Sequence, residues 1–145
     1  MIQKTKEDYL RTIYFLYEKS KDKSKGIKSV KIAKSLKITK PTVSRTIKKL
    51  TEQKYIISKS YSNIYFTKKG LKESKKIMHK YRVIEVFLKD VLNCDIKKIH
   101  EEAHKLEHAF SEYTIRKLDK FLNNPKISPM GKKIPHNNMN KGDRT

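Results

Sequence analysis

Apolar positions along the first 75 residues alternate between helical and strand-like spacing. Leu10, Ile13, Tyr14, Leu16 and Tyr17 recur at the three-to-four-residue interval of an amphipathic helix, predicted over about residues 5–20 with Thr5 as its N-cap and Asp8 as an acid in its first turn. A polar loop with Gly26 follows. Ser29–Ile38 then reads as a short helix capped by Ser29, with Val30, Ile32, Ala33 and Leu36 on its apolar face. Thr39-Lys40 leads into Pro41–Leu50, a second short helix whose inward positions are Val43, Ile47 and Leu50. Proline suits a first helical turn, where its missing N–H costs nothing, and threonine suits the cap before it. Two short helices joined by a tight turn, the second edged by Ser44, Arg45, Lys48 and Lys49, form a helix-turn-helix pattern.

Tyr55–Lys59 and Ile64–Thr67 are rich in β-formers and are separated by Ser60–Asn63, which predicts a hairpin wing. Thr67-Lys-Lys-Gly70 opens a long helix to about residue 92, with Leu71, Ile77, Met78, Tyr81, Ile84, Phe87, Leu88 and Val91 as its buried stripe. Asp95 caps a helix over about 96–109, and Ser111 caps one to about Leu122. Residues 123–145 carry three of the four prolines and little apolar pattern, so they read as an extended or disordered tail. The fold class expected is mainly α with a small β wing: a winged helix-turn-helix domain over 1–73, then a helical domain over 74–122.

Charge sharpens this picture. The chain carries +21 formally, and residues 1–75 hold 21 basic and 6 acidic side chains against 15 and 9 in residues 76–145. A front-loaded positive charge is what a phosphate backbone attracts, although lysine excess (31 of the 36 basic residues) also marks the surfaces of heat-adapted proteins. No run of about 18 apolar residues is present, and the N-terminus lacks the apolar segment of a secretion signal. Cys94, the single cysteine, suits a reducing compartment, so a cytoplasmic location is expected.

The helix beginning after Asp95 carries the chemistry. Ile99, Ala103, Leu106 and Phe110 form its core stripe, while His100, His104, Glu107 and His108 share the neighbouring flank. Three of the chain's five histidines with a carboxylate on one flank point to a divalent metal among Mn, Fe, Co, Ni and Zn; the alternative is a solvated polar face. His100-Glu-Glu-Ala-His104 also matches the zincin pattern and His104-Lys-Leu-Glu-His108 its inverse, so a small zinc hydrolase with Glu101 as base is the enzymatic rival.

The order of parts resembles the diphtheria toxin repressor family, the iron- and manganese-dependent transcriptional repressors. The residues that carry the likeness are Glu7-Asp-Tyr-Leu-Arg-Thr-Ile-Tyr14, Ile38-Thr-Lys-Pro-Thr-Val-Ser-Arg-Thr-Ile-Lys-Lys-Leu50, Tyr81-Arg-Val-Ile-Glu-Val-Phe-Leu88, the histidine helix and Ser128–Pro135. The resemblance implies a homodimeric, metal-activated repressor in which Asp8 joins His104, Glu107 and His108 around iron or manganese, with Zn, Co or Ni also suited. A second family site would use Glu85 and His100. The resemblance further implies that residues 74–122 form the metal-binding and dimerisation domain, and a short two-domain form without the barrel domain of the iron branch is expected. Three positions depart from the family: His104 stands where the iron branch has Cys and the manganese branch Glu, Arg11 where the manganese branch has a carboxylate, and Tyr81 where a histidine is expected one turn before Glu85. His79 lies two residues from Tyr81, rotated about 160° around the helix. At the operator, a palindrome in double-stranded DNA, Thr39, Pro41, Thr42, Ser44 and Arg45 would approach base edges. Lys40, Lys48, Lys49, Lys59 and Tyr61 would hold phosphates. A winged-helix regulator indifferent to metal is the alternative.

Overall fold

The computed structural model describes residues 3–59 and 63–136, and they divide into two compact units, residues 1–75 and 76–145. In the first unit, α1 (Gln3–Lys19) is followed by the two-residue strand β1 (Ile27–Lys28), α2 (Ser29–Leu36), α3 (Lys40–Glu52), β2 (Ile56–Lys59) and β3 (Asn63–Phe66). Tyr9, Ile13, Ile32, Val43, Ile47, Leu50, Ile56 and Ile64 form its continuous core. The three inward positions expected of α3 are all buried there.

Local signals explain most boundaries. Thr39 caps α3: its side chain accepts from the Thr42 N–H, and Pro41 sits in the first turn. The turn between α2 and α3 is made by Lys37 in the left-handed conformation (φ 56°), whose N–H returns to the last carbonyls of α2. Strands β2 and β3 pair antiparallel in the register Ile56↔Phe66 to Lys59↔Asn63, and β1 joins the other edge of β3 through Ile27↔Ile64. The wing tip, and with it the expectation for Tyr61, lies outside the described residues.

Four sequence expectations in this unit are corrected. Helix α1 begins at Gln3, so Thr5 lies inside it and Asp8 falls in its second turn. Ser29 is the first residue of α2; Lys28 occupies the cap position and makes no side-chain cap bond. Val30 is 47% exposed, because Ile32 and Ala33 alone provide the buried face of that short helix. β1, read as loop, forms because the Ile27 side chain is buried when its backbone pairs with β3.

Helix α4 (Lys68–Val86) opens on Thr67, whose hydroxyl accepts from the Gly70 N–H at 2.9 Å. The unit boundary falls within this helix. In the second unit α4 ends in a turn of π-helix (Phe87–Val91) and is followed by α5 (Ile96–Glu107) and α6 (Glu112–Phe121). Asp95 and Ser111 cap α5 and α6 through Lys97 N and Thr114 N, as their positions predict. The expected α4 stripe is too narrow at one place and too long at another. Residues 81–86 are buried all round, including Arg82 and Glu85, whereas Val91 is 45% exposed. Residues 125–136 are not extended: Ile127 bridges Lys133, Ile134 N donates to Lys126 O, and the Arg82 guanidinium donates to Lys133 O at 2.6 Å. Ile134 is buried with Val83 and Val86, packed by Leu118 and Leu122. One apolar side chain in a polar stretch thus anchors the segment, too sparse a signal for periodicity to register.

Candidate metal centre and nucleic-acid interface

On α5, residues four apart stand one turn above each other, and the capped start at Asp95 fixes which turn carries each histidine. His104 and His108 stack as a T-shaped ring pair with centroids 5.2 Å apart. Glu107 lies between them: His108 Nε2 is 3.6 Å and His104 Nε2 is 4.0 Å from its Oε1. A ligand atom from each of the three lies within 4.8 Å of the others. Glu107 is 1% exposed while both histidines remain partly open to solvent. A carboxylate held in a protein interior is stable only with cationic or strong hydrogen-bonding company. Two imidazoles and one carboxylate converging at this spacing are a donor set that divalent Mn, Fe, Co or Zn accepts. The sequence located all three residues, but placed Glu107 on the flank rather than inside.

The other expected ligands are placed as follows. Asp8, in the first unit, lies on α1 with its side chain 22% exposed and the Arg11 guanidinium 3.6 Å from its carboxylate. Being in the second helical turn, it gains little from the helix dipole, and Arg11 is the ion-pair partner of its carboxylate. His100 Nδ1 shares a short hydrogen bond with the Tyr81 hydroxyl, and Glu85 is 4% exposed in the body of α4. Among the described residues, Glu85 and His100 join no group of three or more ligand side chains. The zincin spacing assembles no such group around His100 either, and Glu101 is 72% exposed with Lys105 as its ion-pair partner.

In the first unit, α3 presents Lys40, Pro41, Ser44, Arg45, Lys48 and Lys49 to solvent, with Thr39 exposed at its cap. Thr42 is tied at both ends, to the Thr39 hydroxyl at 2.8 Å and to the Arg45 guanidinium at 3.4 Å. Lys59 is exposed at the end of β2.

A winged helix-turn-helix unit followed by a helical unit bearing a buried His/Glu cluster defines a metal-responsive DNA-binding regulator. The chain belongs to the iron-dependent repressor family: the family model for its N-terminal DNA binding domain matches residues 1–64, and that for its metal binding and dimerisation domain matches residues 67–136. An uncharacterized HTH-type transcriptional regulator of Methanocaldococcus jannaschii is 39% identical over 116 residues, 80% of this chain and 90% of its own length. The diphtheria toxin repressor of Corynebacterium diphtheriae is 34% identical over 131 residues, 90% of this chain; the chain spans 56% of that relative's length. Among solved structures, the manganese regulator SloR superposes with a TM-score of 0.77 at 40% identity, over 90% of this chain and 59% of that one. Resemblance to the family, inferred from motif order, is thereby upheld. So is the expected class of function, a transcriptional regulator answering to a divalent metal such as iron or manganese.

Proposed function

We propose that this protein is a homodimeric repressor whose hold on a palindromic operator is switched by one divalent ion, with Asp8, His104, Glu107 and His108 as the ligands. The observation that carries the reading is Glu107, a carboxylate buried between two imidazoles in the unit that matches the family's metal-binding domain. The metal supplies positive charge that lets Glu107 and Asp8 be close without repulsion. Asp8 acts as the latch, since it belongs to the DNA-binding unit while the other three ligands belong to the helical unit. Without the ion, the two recognition helices sample several orientations. With it, that distribution narrows to one in which both α3 helices fit successive major grooves. Metal and operator must then raise each other's affinity by equal factors. Family relatives carrying manganese, or zinc and cadmium in the regulator ScaR, agree with a site of borderline selectivity.

The copy-to-copy contact is drawn from the helical unit. Among the described residues, seven of the nine large apolar side chains that remain exposed, among them Val91, Leu92, Ile96 and Phe121, lie there. A stable dimer surface needs such apolar area.

Operator binding across a panel of Mn, Fe, Zn and chelator tests the switch. The expected result is metal-enhanced binding in the wild type and metal-indifferent, weak binding in Asp8→Ala. Equal affinity under every condition, in both proteins, is the outcome that overturns it and favours a regulator indifferent to metal.

A further inference from the structure

A second cluster of metal-ligating side chains lies in the helical unit and shares no residue with the centre just described. His79 on α4, Asp119 on α6 and His136 at the end of the folded-back segment each bring a ligand atom within 4.8 Å of the other two. Their chemistry is constrained by the backbone. His79 Nδ1 lies 2.6 Å from the Pro135 carbonyl, which can only accept, so that nitrogen carries the hydrogen. In the neutral ring Nε2 is then the lone-pair nitrogen, and it lies 3.2 Å from Asp119 Oδ2. With one proton on the ring, two lone-pair atoms face each other at that distance and repel unless a cation stands between them; the metal-free alternative is a second proton on His79, which makes the contact an ion pair. The spacing is close to the about 3.3 Å that separates neighbouring ligands of a tetrahedral ion with bonds of about 2.0 Å.

The ring of His136 is likewise held by a carbonyl: its Nε2 donates to Pro125 O at 3.2 Å, which in the neutral ring leaves the lone pair on Nδ1. The two imidazoles meet edge to face, with centroids 5.1 Å apart. The other oxygen of Asp119, Oδ1, is buried and has no hydrogen-bond partner among the described residues. Histidine ligands whose second nitrogen is fixed by a carbonyl are the usual second sphere of a protein-bound transition metal.

We propose that His79, Asp119 and His136 bind a second divalent transition ion, of the zinc or cobalt class that two imidazoles and a carboxylate select, and that this ion staples residues 125–136 to α4 and α6. The staple reinforces the apolar anchor of Ile134 and the Arg82–Lys133 bond. It is independent of the proposed switch, since none of its ligands belongs to that site.

Cobalt titration of the full chain, read by visible absorption and by elemental analysis after dialysis, tests this. Circular dichroism confirms that each variant is folded. Two equivalents per protomer are expected in the wild type and one in His108→Ala, and that remaining equivalent is expected to disappear when either His136→Ala or Asp119→Asn is added to His108→Ala. Trypsin cleavage after Lys126, Lys132 and Lys133 is expected to slow at least tenfold on adding Co²⁺ to the wild type and to His108→Ala, but not to His136→Ala. The idea is overturned if His108→Ala binds no cobalt, or if its remaining equivalent survives His136→Ala and Asp119→Asn and falls instead with His100→Ala. It is equally overturned if nitrogen NMR shows His79 carrying two protons with cobalt in excess, which would make the pair with Asp119 a simple salt bridge. Failure of the switch leaves these outcomes unaffected, because the operator is not part of the measurement.

Discussion

At the scale of the single residue, the proposed metal response turns on one carboxylate. Glu107 is 1% exposed, and removing a charged group from water costs several kcal/mol unless partners offset it. His104 and His108 supply part of that offset, and a divalent ion would supply the rest. Replacing Glu107 by leucine removes the buried charge together with the ligand. In a His136→Ala background, so that one site reports, Glu107→Leu is expected to melt no lower than its parent without metal. The parent should gain about 2.7 kcal/mol when manganese is present at a hundredfold excess over its Kd, and the variant should gain nothing. Calorimetry with and without manganese decides the matter; a metal-induced rise in Tm that survives Glu107→Leu would place the ion elsewhere.

At the scale of elements, two junctions set where the reading helix and the long helix begin. Thr39→Ala removes the hydroxyl that accepts from Thr42 N, and loss of such a cap costs about 1 kcal/mol. Urea unfolding should show that loss, and Thr39→Ser should restore most of it. Gly70 is a harder constraint: a Cβ there would sit 1.7 Å from the Tyr55 carbonyl oxygen, and backbone cannot move aside as a side chain does. Gly70→Ala is expected at or above the top of the about 1–3 kcal/mol range for overpacking, measured in the same way. These junctions also mark how far the sequence could be read. Thr39, Asp95 and Ser111 were legible because a cap is a local event, decided by a side chain and an N–H two or three residues on. Ser29 misled for the same reason, since Lys28 holds the cap geometry without any side-chain bond. β1 and the 125–136 segment were not legible: their partners, Ile64 and Val83, are remote in sequence, and no local pattern encodes them. The metal centre was half legible. Helical spacing groups His104, Glu107 and His108, but the burial of Glu107 is a product of packing, and His79 meets Asp119 and His136 only through the fold.

For the whole molecule, charge is divided as the proposed division of labour requires. Residues 1–75 carry +15 and residues 76–145 carry +6, so the unit that would meet DNA holds most of the excess. A protein that neutralises Z phosphates loses affinity with a slope of about −0.9Z in log K against log salt. If Lys40, Lys48, Lys49 and Lys59 each hold one phosphate in both half-sites, the dimer has eight such contacts and a slope of about −7. Lys48→Ala removes two of them, and the slope should become shallower by about 2 with the preferred operator unchanged. Arg45 is different in kind. It stands exposed one turn into α3, tied to Thr42, and its guanidinium has the fork that guanine accepts. Arg45→Ala should therefore cost about 1–3 kcal/mol of discrimination at one base pair per half-site while changing binding to random DNA little. Fluorescence anisotropy on the operator, a single-base series and random duplex, each over a range of salt, separates the two roles. A slope that ignores Lys48→Ala, or a base preference that survives Arg45→Ala, would mean that α3 is not the element reading DNA, whatever the metal does.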